Sequence, residues 1–267
     1  MAKKVFIGVG HGGSDPGAVK YIIEKEYTLK TAKAVGECLK EYGISSKLSR
    51  TSDVDTDMDS KVKMCNDYNP DLVIDVHFNA GGGTGFEVYR YSGGGVSKTL
   101  ADNVNAEVKK IFASRGVKTK LGSDGKDYFA IIRETDAPSV LLEGGFVDTK
   151  SDADFVKANY KKLAKAYADG IAKTLGVSKP KALPVLDKDG YKKGANTIGS
   201  YALKMLLLLA KNKGLQPYGM DVNSYCFGDG TQNAVNYLLK KWGYQPNGVA
   251  GKNFERKLYS ELEKAVK

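Results

Sequence analysis

Val5-Phe-Ile-Gly-Val-Gly-His11, Leu72-Val-Ile-Asp-Val-His77 and Val140-Leu-Leu-Glu143 are three short apolar runs, each delivering a histidine or a glutamate at or just beyond its end. Such runs, rich in β-branched residues, are the pattern of strands buried on both faces of a sheet. Between them the period changes. Leu29, Ala32, Val35 and Leu39 recur at three- and four-residue spacing, which predicts a helix over residues 24–42 stopped by Gly43. Residues 58–68, 96–114 and 153–175 read as helices too, bounded by Pro70, Gly116 and Gly176. Further strands are predicted at 44–48, 86–91 and 128–132. Strands alternating with amphipathic helices predict an α/β fold over residues 1–176, a twisted mixed sheet flanked by helices.

The composition then shifts. Residues 177–190, with Ser178-Lys-Pro-Lys-Ala-Leu-Pro184 at their centre, have no periodicity and read as a linker. Residues 191–267 predict a small all-α domain with helices at 200–213, 231–242 and 254–262, its core including Tyr237, Leu238 and Trp242. Charge divides along the same line. Residues 1–176 carry 26 Lys and Arg against 24 Asp and Glu, whereas residues 177–267 carry 15 against 7. The second segment therefore holds most of the +10 net charge and favours an anionic partner: a cell wall, a membrane surface or nucleic acid. Its lysines are scattered and mark no recognition helix, so nucleic acid is not expected. No apolar run approaches the roughly 20 residues of a membrane span, and stable membrane insertion is not expected. The residues after Met1 lack the pattern of an export signal, so synthesis in the cytoplasm is expected. Cys38, Cys65 and Cys226 include no closely spaced pair, which argues against a disulfide framework or a thiolate metal cluster.

The chain contains two histidines, and both follow strands. In open α/β sheets ligands bind beyond the carboxyl ends of the strands, so His11, His77 and Glu143 form a candidate site. A catalytic zinc takes three protein ligands and keeps an open position. The third ligand should be Glu24 or Glu26, where Gly12-Gly-Ser-Asp-Pro-Gly17 can fold the chain back over the strand end; either could equally be a first-turn carboxylate serving the helix dipole. Glu143 would then be a general acid/base, while Asn79 either contacts substrate or shapes the turn after its strand. Gly8-Val-Gly-His-Gly-Gly13 also satisfies the GxGxxG dinucleotide pattern. The turn-forming Ser14-Asp-Pro-Gly17 stands where that fold would open a helix, so the pattern is not read as a nucleotide site.

Gly10-His-Gly-Gly-Ser-Asp-Pro-Gly-Ala18, Glu24-Lys-Glu-Tyr-Thr-Leu29, Ser49-Arg-Thr-Ser-Asp53, Val76-His-Phe-Asn-Ala80 and Val140-Leu-Leu-Glu-Gly-Gly-Phe146 together resemble the ordered motifs of the zinc-dependent N-acetylmuramoyl-L-alanine amidases of the type 3 family. The resemblance implies a zinc ion held by His11, Glu24 and His77, and a catalytic Glu143 in a segment completed by Pro138 and Phe146. It implies hydrolysis of the amide between N-acetylmuramic acid and L-alanine of peptidoglycan. Lys61 and Asp148 depart from it, standing where the family often has Arg and Asn. A zinc cell-wall peptidase would need the same parts, and a non-catalytic peptidoglycan-binding protein would be expected to lack one of them. Phe227-Gly-Asp-Gly-Thr-Gln-Asn-Ala-Val235 and Gly243-Tyr-Gln-Pro-Asn-Gly-Val-Ala-Gly251 resemble a three-helix peptidoglycan-binding domain, with Leu239 and Phe254 departing from its pattern. The expected biology is a phage endolysin or, second, a bacterial autolysin, acting on the cell wall after release from the cell that made it.

Overall fold

The computed structural model describes residues 3–178 and 190–266. Strands β1 (Lys4–Val9), β2 (Ser45–Leu48), β3 (Leu72–Asn79), β4 (Phe86–Arg90), β5 (Ser114–Lys118) and β6 (Ser139–Phe146) form one sheet in the order β2-β1-β3-β6-β4-β5. β2, β1, β3 and β6 run parallel, β4 is antiparallel to β6, and β5 is parallel to β4. The sheet is therefore mixed, with helices on both faces. Residues 1–180 and 181–267 form two compact units, each described by itself. Residues 179–189 of the anticipated linker lie outside the described residues.

Period-two alternation sorts the strand side chains. Val5, Ile7, Val9, Leu72, Ile74, Val76, Val140 and Leu142 face one core, under helices α1 (Glu24–Lys40), α3 (Gly95–Val108) and α5 (Lys150–Thr174). Phe6, Val73 and Leu141 face the other, with Cys65 of helix α2 (Met58–Tyr68) and Ile131 and Ile132 of the short helix α4 (Ala130–Arg133). Asp75 and His77 share the parity of Val73, and Glu143 that of Leu141. These candidate side chains thus lie on the α2 side of the sheet, at the carboxyl ends of its central strands. α1 turns Ala32, Val35 and Leu39 inward at the predicted spacing.

Two local expectations are overturned in this unit. Residues 128–132 do not form a strand: the segment contains α4, whose Ile131 and Ile132 are buried against the sheet. A short apolar run has no periodicity that separates a strand from a buried helical turn. The third helix ends at Val108 rather than near Ser114, and Ser114–Lys118 instead forms the edge strand β5. Arg115 and Lys118 suit an unpaired edge and hide the strand pattern.

The second unit contains α6 (Ile198–Asn212), α7 (Asp229–Lys241) and α8 (Lys252–Val266). Thr197 and Ser200 form a capping box at the start of α6. Leu203, Leu207, Phe227, Val235, Leu238 and Leu258 form the centre of its core. Trp242 packs against that core, as anticipated, but Tyr237 does not: it is exposed and meets Tyr218 edge-to-face.

α5 packs tightly against α3 at Gly170, where a Cβ would stand 2.6 Å from the Val104 Cα. Helix propensity alone predicts that Gly170→Ala stabilises by about 1 kcal/mol. The backbone contact predicts the opposite sign, a loss of about 1–3 kcal/mol from overpacking, read as a lower urea midpoint in far-UV circular dichroism.

Candidate metal centre

β1 ends at Val9, and the chain turns sharply through His11, which has the left-handed φ of 57°. That conformation is uncommon for a residue with a Cβ. A loop then returns the chain to α1, whose first residue is Glu24. Several side chains hold this loop. Arg50 donates to the carbonyls of Gly10, Lys25 and Ser52; Lys25 donates to the Gly13 carbonyl and Asp53; Asp53 accepts from the Gly13 N–H. Two glycines are required by close approach. A Cβ at Gly10 would lie 2.4–2.7 Å from three atoms of the His77 ring, and one at Gly17 would lie 2.6 Å from both His11 and Glu24.

The loop closes on a buried carboxylate. Glu24 is 4% exposed. Its Oε1 lies 3.1 Å from His11 Nε2 and 3.2 Å from His77 Nδ1, and accepts the Phe78 N–H at 3.0 Å; its Oε2 accepts the Ala18 N–H at 2.9 Å. One donor atom from each of His11, Glu24 and His77 falls within 4.8 Å of the others. The two rings meet edge-on, with centroids 5.0 Å apart. Glu26 points elsewhere, to an exposed pairing with Lys30, so of the two acids left open by spacing the structure brings Glu24 to the histidines. Each histidine turns one nitrogen toward Glu24 and the other toward an aspartate: His11 Nδ1 lies 2.7 Å from Asp15, and His77 Nε2 lies 3.5 Å from Asp75.

The electrostatics favour positive charge here. Burial raises the Glu24 carboxyl, but the hydrogen bonds and charges of the two histidines outweigh it and hold the group well below the usual carboxylate range. Burial alone would lower the His77 imidazole; Asp75, Glu24 and Glu143 overcome this and push it up to about 10. An arrangement that so favours an imidazolium also fits a metal cation, and a His/Glu/His donor set with outer carboxylates on both rings suits zinc.

Glu143 pairs with His77 in the β3–β6 register. Burial pushes its carboxyl up to about 7, with His77 opposing and Glu24 and Glu87 adding to the rise. Its Oε2 is buried and has no hydrogen-bond partner among the described residues. Beside the histidines opens a cleft of about 410 Å³, lined in part by Asp15, Asp55, Asp57, Met58 and Lys61. Asn79 donates to Glu87 at 3.1 Å and accepts the Ala80 N–H at 2.8 Å, so both ends of its amide serve the turn and the neighbouring strand. Asp148 accepts the N–H groups of Gly81 and Gly82 in that same turn. Sequence reasoning missed Asp15 and Asp75. Asp15 could have been suspected from its i,i+4 spacing to His11; Asp75 gives no local signal.

The sequence model of the N-acetylmuramoyl-L-alanine amidase family (Amidase_3) matches residues 5–173. The amidase CwlM of Bacillus licheniformis is 40% identical over 184 residues, covering 66% of this chain and 70% of that protein. The endolysin of Bacillus phage SPP1 is 36% identical over 191 residues, covering 67% and 68%. Among solved structures, the catalytic domain of the amidase CwlV from Bacillus (Paenibacillus) polymyxa var. colistinus superposes with a TM-score of 0.60 at 27% identity, covering 66% of this chain and 99% of that one. This chain belongs to the N-acetylmuramoyl-L-alanine amidase family and cleaves peptidoglycan.

Displacing the His77 ring should therefore cost activity without loss of fold. Gly10→Ala is expected to lower wall hydrolysis about 100-fold, the scale on which a misplacement of about 1 Å acts, with far-UV circular dichroism unchanged.

Proposed function

We propose that this amidase works with one zinc ion held by His11, Glu24 and His77, and with Glu143 as its general acid/base. The observation that carries the reading is the meeting, within 4.8 Å, of three donors that lie 13 and 53 residues apart in the chain, next to a buried carboxyl with an unpartnered oxygen. Zinc bound there supplies Lewis acidity to the scissile carbonyl and brings the pKa of water toward about 7.

The chain's own residues do the rest. Glu143 takes a proton from the attacking water and returns it to the alanine nitrogen. As the new C–O bond forms and the C–N bond breaks, the lactyl group of N-acetylmuramic acid becomes a carboxylic acid and the stem peptide leaves with a free amine. An amide nitrogen is a poor leaving group unless protonated, and a carboxyl raised to about 7 is well placed to exchange that proton near neutral pH. Asp15 orients the His11 imidazole. Asn79 fixes the turn and Glu87 beside Glu143.

The second unit anchors the enzyme to the wall. Its excess of lysine suits an anionic polymer. A groove of about 510 Å³ exposes Tyr244 beside Gln245, Asn247, Lys252 and Asn253, an aromatic face with amide donors and acceptors that suits a glycan or peptide. The biology that fits is an endolysin or a developmental autolysin, since the relatives include the endolysin of phage SPP1 and a sporulation-specific amidase of Bacillus subtilis. Among the described residues no helix is long and apolar enough to cross a membrane.

Metal analysis of the purified chain should find about one zinc per molecule. Glu143→Gln should keep that zinc and lose about 10²–10⁴-fold in hydrolysis, measured as release of wall fragments with N-terminal alanine and no new reducing sugar. Full activity in the variant would remove the acid/base assignment. In the same inactive background, Tyr244→Ala should reduce the fraction of protein that sediments with purified walls several-fold; unchanged sedimentation would place the contact elsewhere.

A further inference from the structure

Asp75 is 0% exposed and Lys61 is 3% exposed, and the two lie beside His77. Lys61 reaches from α2 to Asp75 on β3, with its Nζ 3.3 and 3.4 Å from the two carboxylate oxygens. The same carboxylate lies 3.5 Å from His77 Nε2, and the opposite nitrogen of that ring, Nδ1, faces Glu24. The sheet is built around this carboxylate. Gly8 is its register partner on β1, and a Cβ there would stand 2.2 Å from an Asp75 oxygen. A lone buried carboxylate or ammonium is costly, and a buried ion pair is often no more stable than an apolar pair of the same volume. Stability alone therefore does not account for an Asp and a Lys at these two positions. What they uniquely provide is an anionic acceptor at Nε2 of a metal-facing histidine, neutralised from behind so that it can sit in the interior.

We propose that Lys61 and Asp75 form a buried positioning relay that holds His77 with its proton on Nε2, so that Nδ1 is presented to the metal. His11 is oriented the opposite way: Nδ1 faces Asp15 and Nε2 faces Glu24. The two histidines would therefore ligate through different nitrogens, each held by its own aspartate. Asp15 is largely exposed and supplied by the same loop as His11, whereas Asp75 is buried and acts through strand register. An aspartate on the outer nitrogen of a metal-bound histidine fixes its tautomer and raises its basicity, and loss of such a partner typically weakens metal binding 10–100-fold. The inference rests on the zinc reading above.

The test replaces both charges together, so that neither is left buried alone. The full chain with Lys61→Met and Asp75→Leu keeps the net charge and the branching of each side chain, and its metal-free thermal transition reports whether it folds. Zinc affinity is then measured by chelator competition. A folded double variant with affinity 10–100-fold below the wild type is the expected result, and wild-type affinity would overturn the proposal. A second readout is independent of any variant. Long-range ¹H–¹⁵N spectra of the zinc-loaded wild type should show His77 coordinated through Nδ1 and His11 through Nε2. Coordination of His77 through Nε2 would overturn the relay while leaving the zinc reading intact; a wild type that takes up no zinc would overturn both.

Discussion

The carboxylate of Glu24 organises the catalytic unit. It is buried, charged, and supplied by the first turn of α1, a position that normally faces water and the helix dipole. Removing a carboxylate from water costs several kcal/mol unless it is paired and hydrogen-bonded. Here two backbone N–H groups, each hydrogen bond to the charged group contributing about 1.5–3 kcal/mol, and two facing imidazoles meet that need. Satisfying this one group requires that the loop fold back, that His11 adopt a left-handed turn, and that β1 and β3 be in register. The resulting site is preorganised by the fold itself.

The glycines near the amino terminus follow from the same constraint. Gly8 and Gly10 resemble a nucleotide fingerprint, but in the folded chain they make room for side chains rather than phosphates: Gly8 for Asp75, Gly10 for the His77 ring. Arg50 and Lys25 complete the loop through backbone carbonyls. The motif Ser49-Arg-Thr-Ser-Asp53 thus supports the centre without supplying a donor to it.

Much of this was legible in the sequence because its physics is local. Continuous apolar runs mark the central parallel strands, and histidines placed at the ends of two of them mark the candidate site. What was not legible depends on register and on edges. Asp75 acquires its role only because β3 lies between β1 and β6 and α2 carries Lys61 above it, a relation no spacing within the chain reveals. β5 escaped because an edge strand bearing Arg115 and Lys118 lacks the apolar alternation of a buried one, and α4 because four residues are too few to show a helical period. Tyr237 was misassigned for a related reason: an aromatic residue within an amphipathic helix is read as core, yet this one lies at the margin of the apolar stripe.

The proposed centre is a single divalent ion bound by two nitrogens and one carboxylate oxygen. X-ray absorption at the zinc edge of the loaded protein addresses that directly. Two imidazole nitrogens at about 2.0–2.1 Å with the remaining near shell of oxygen at about 2.0–2.2 Å are the predicted result. A shell of oxygen alone, or sulfur at about 2.3 Å, would place the ion elsewhere and contradict a centre built on His11, Glu24 and His77.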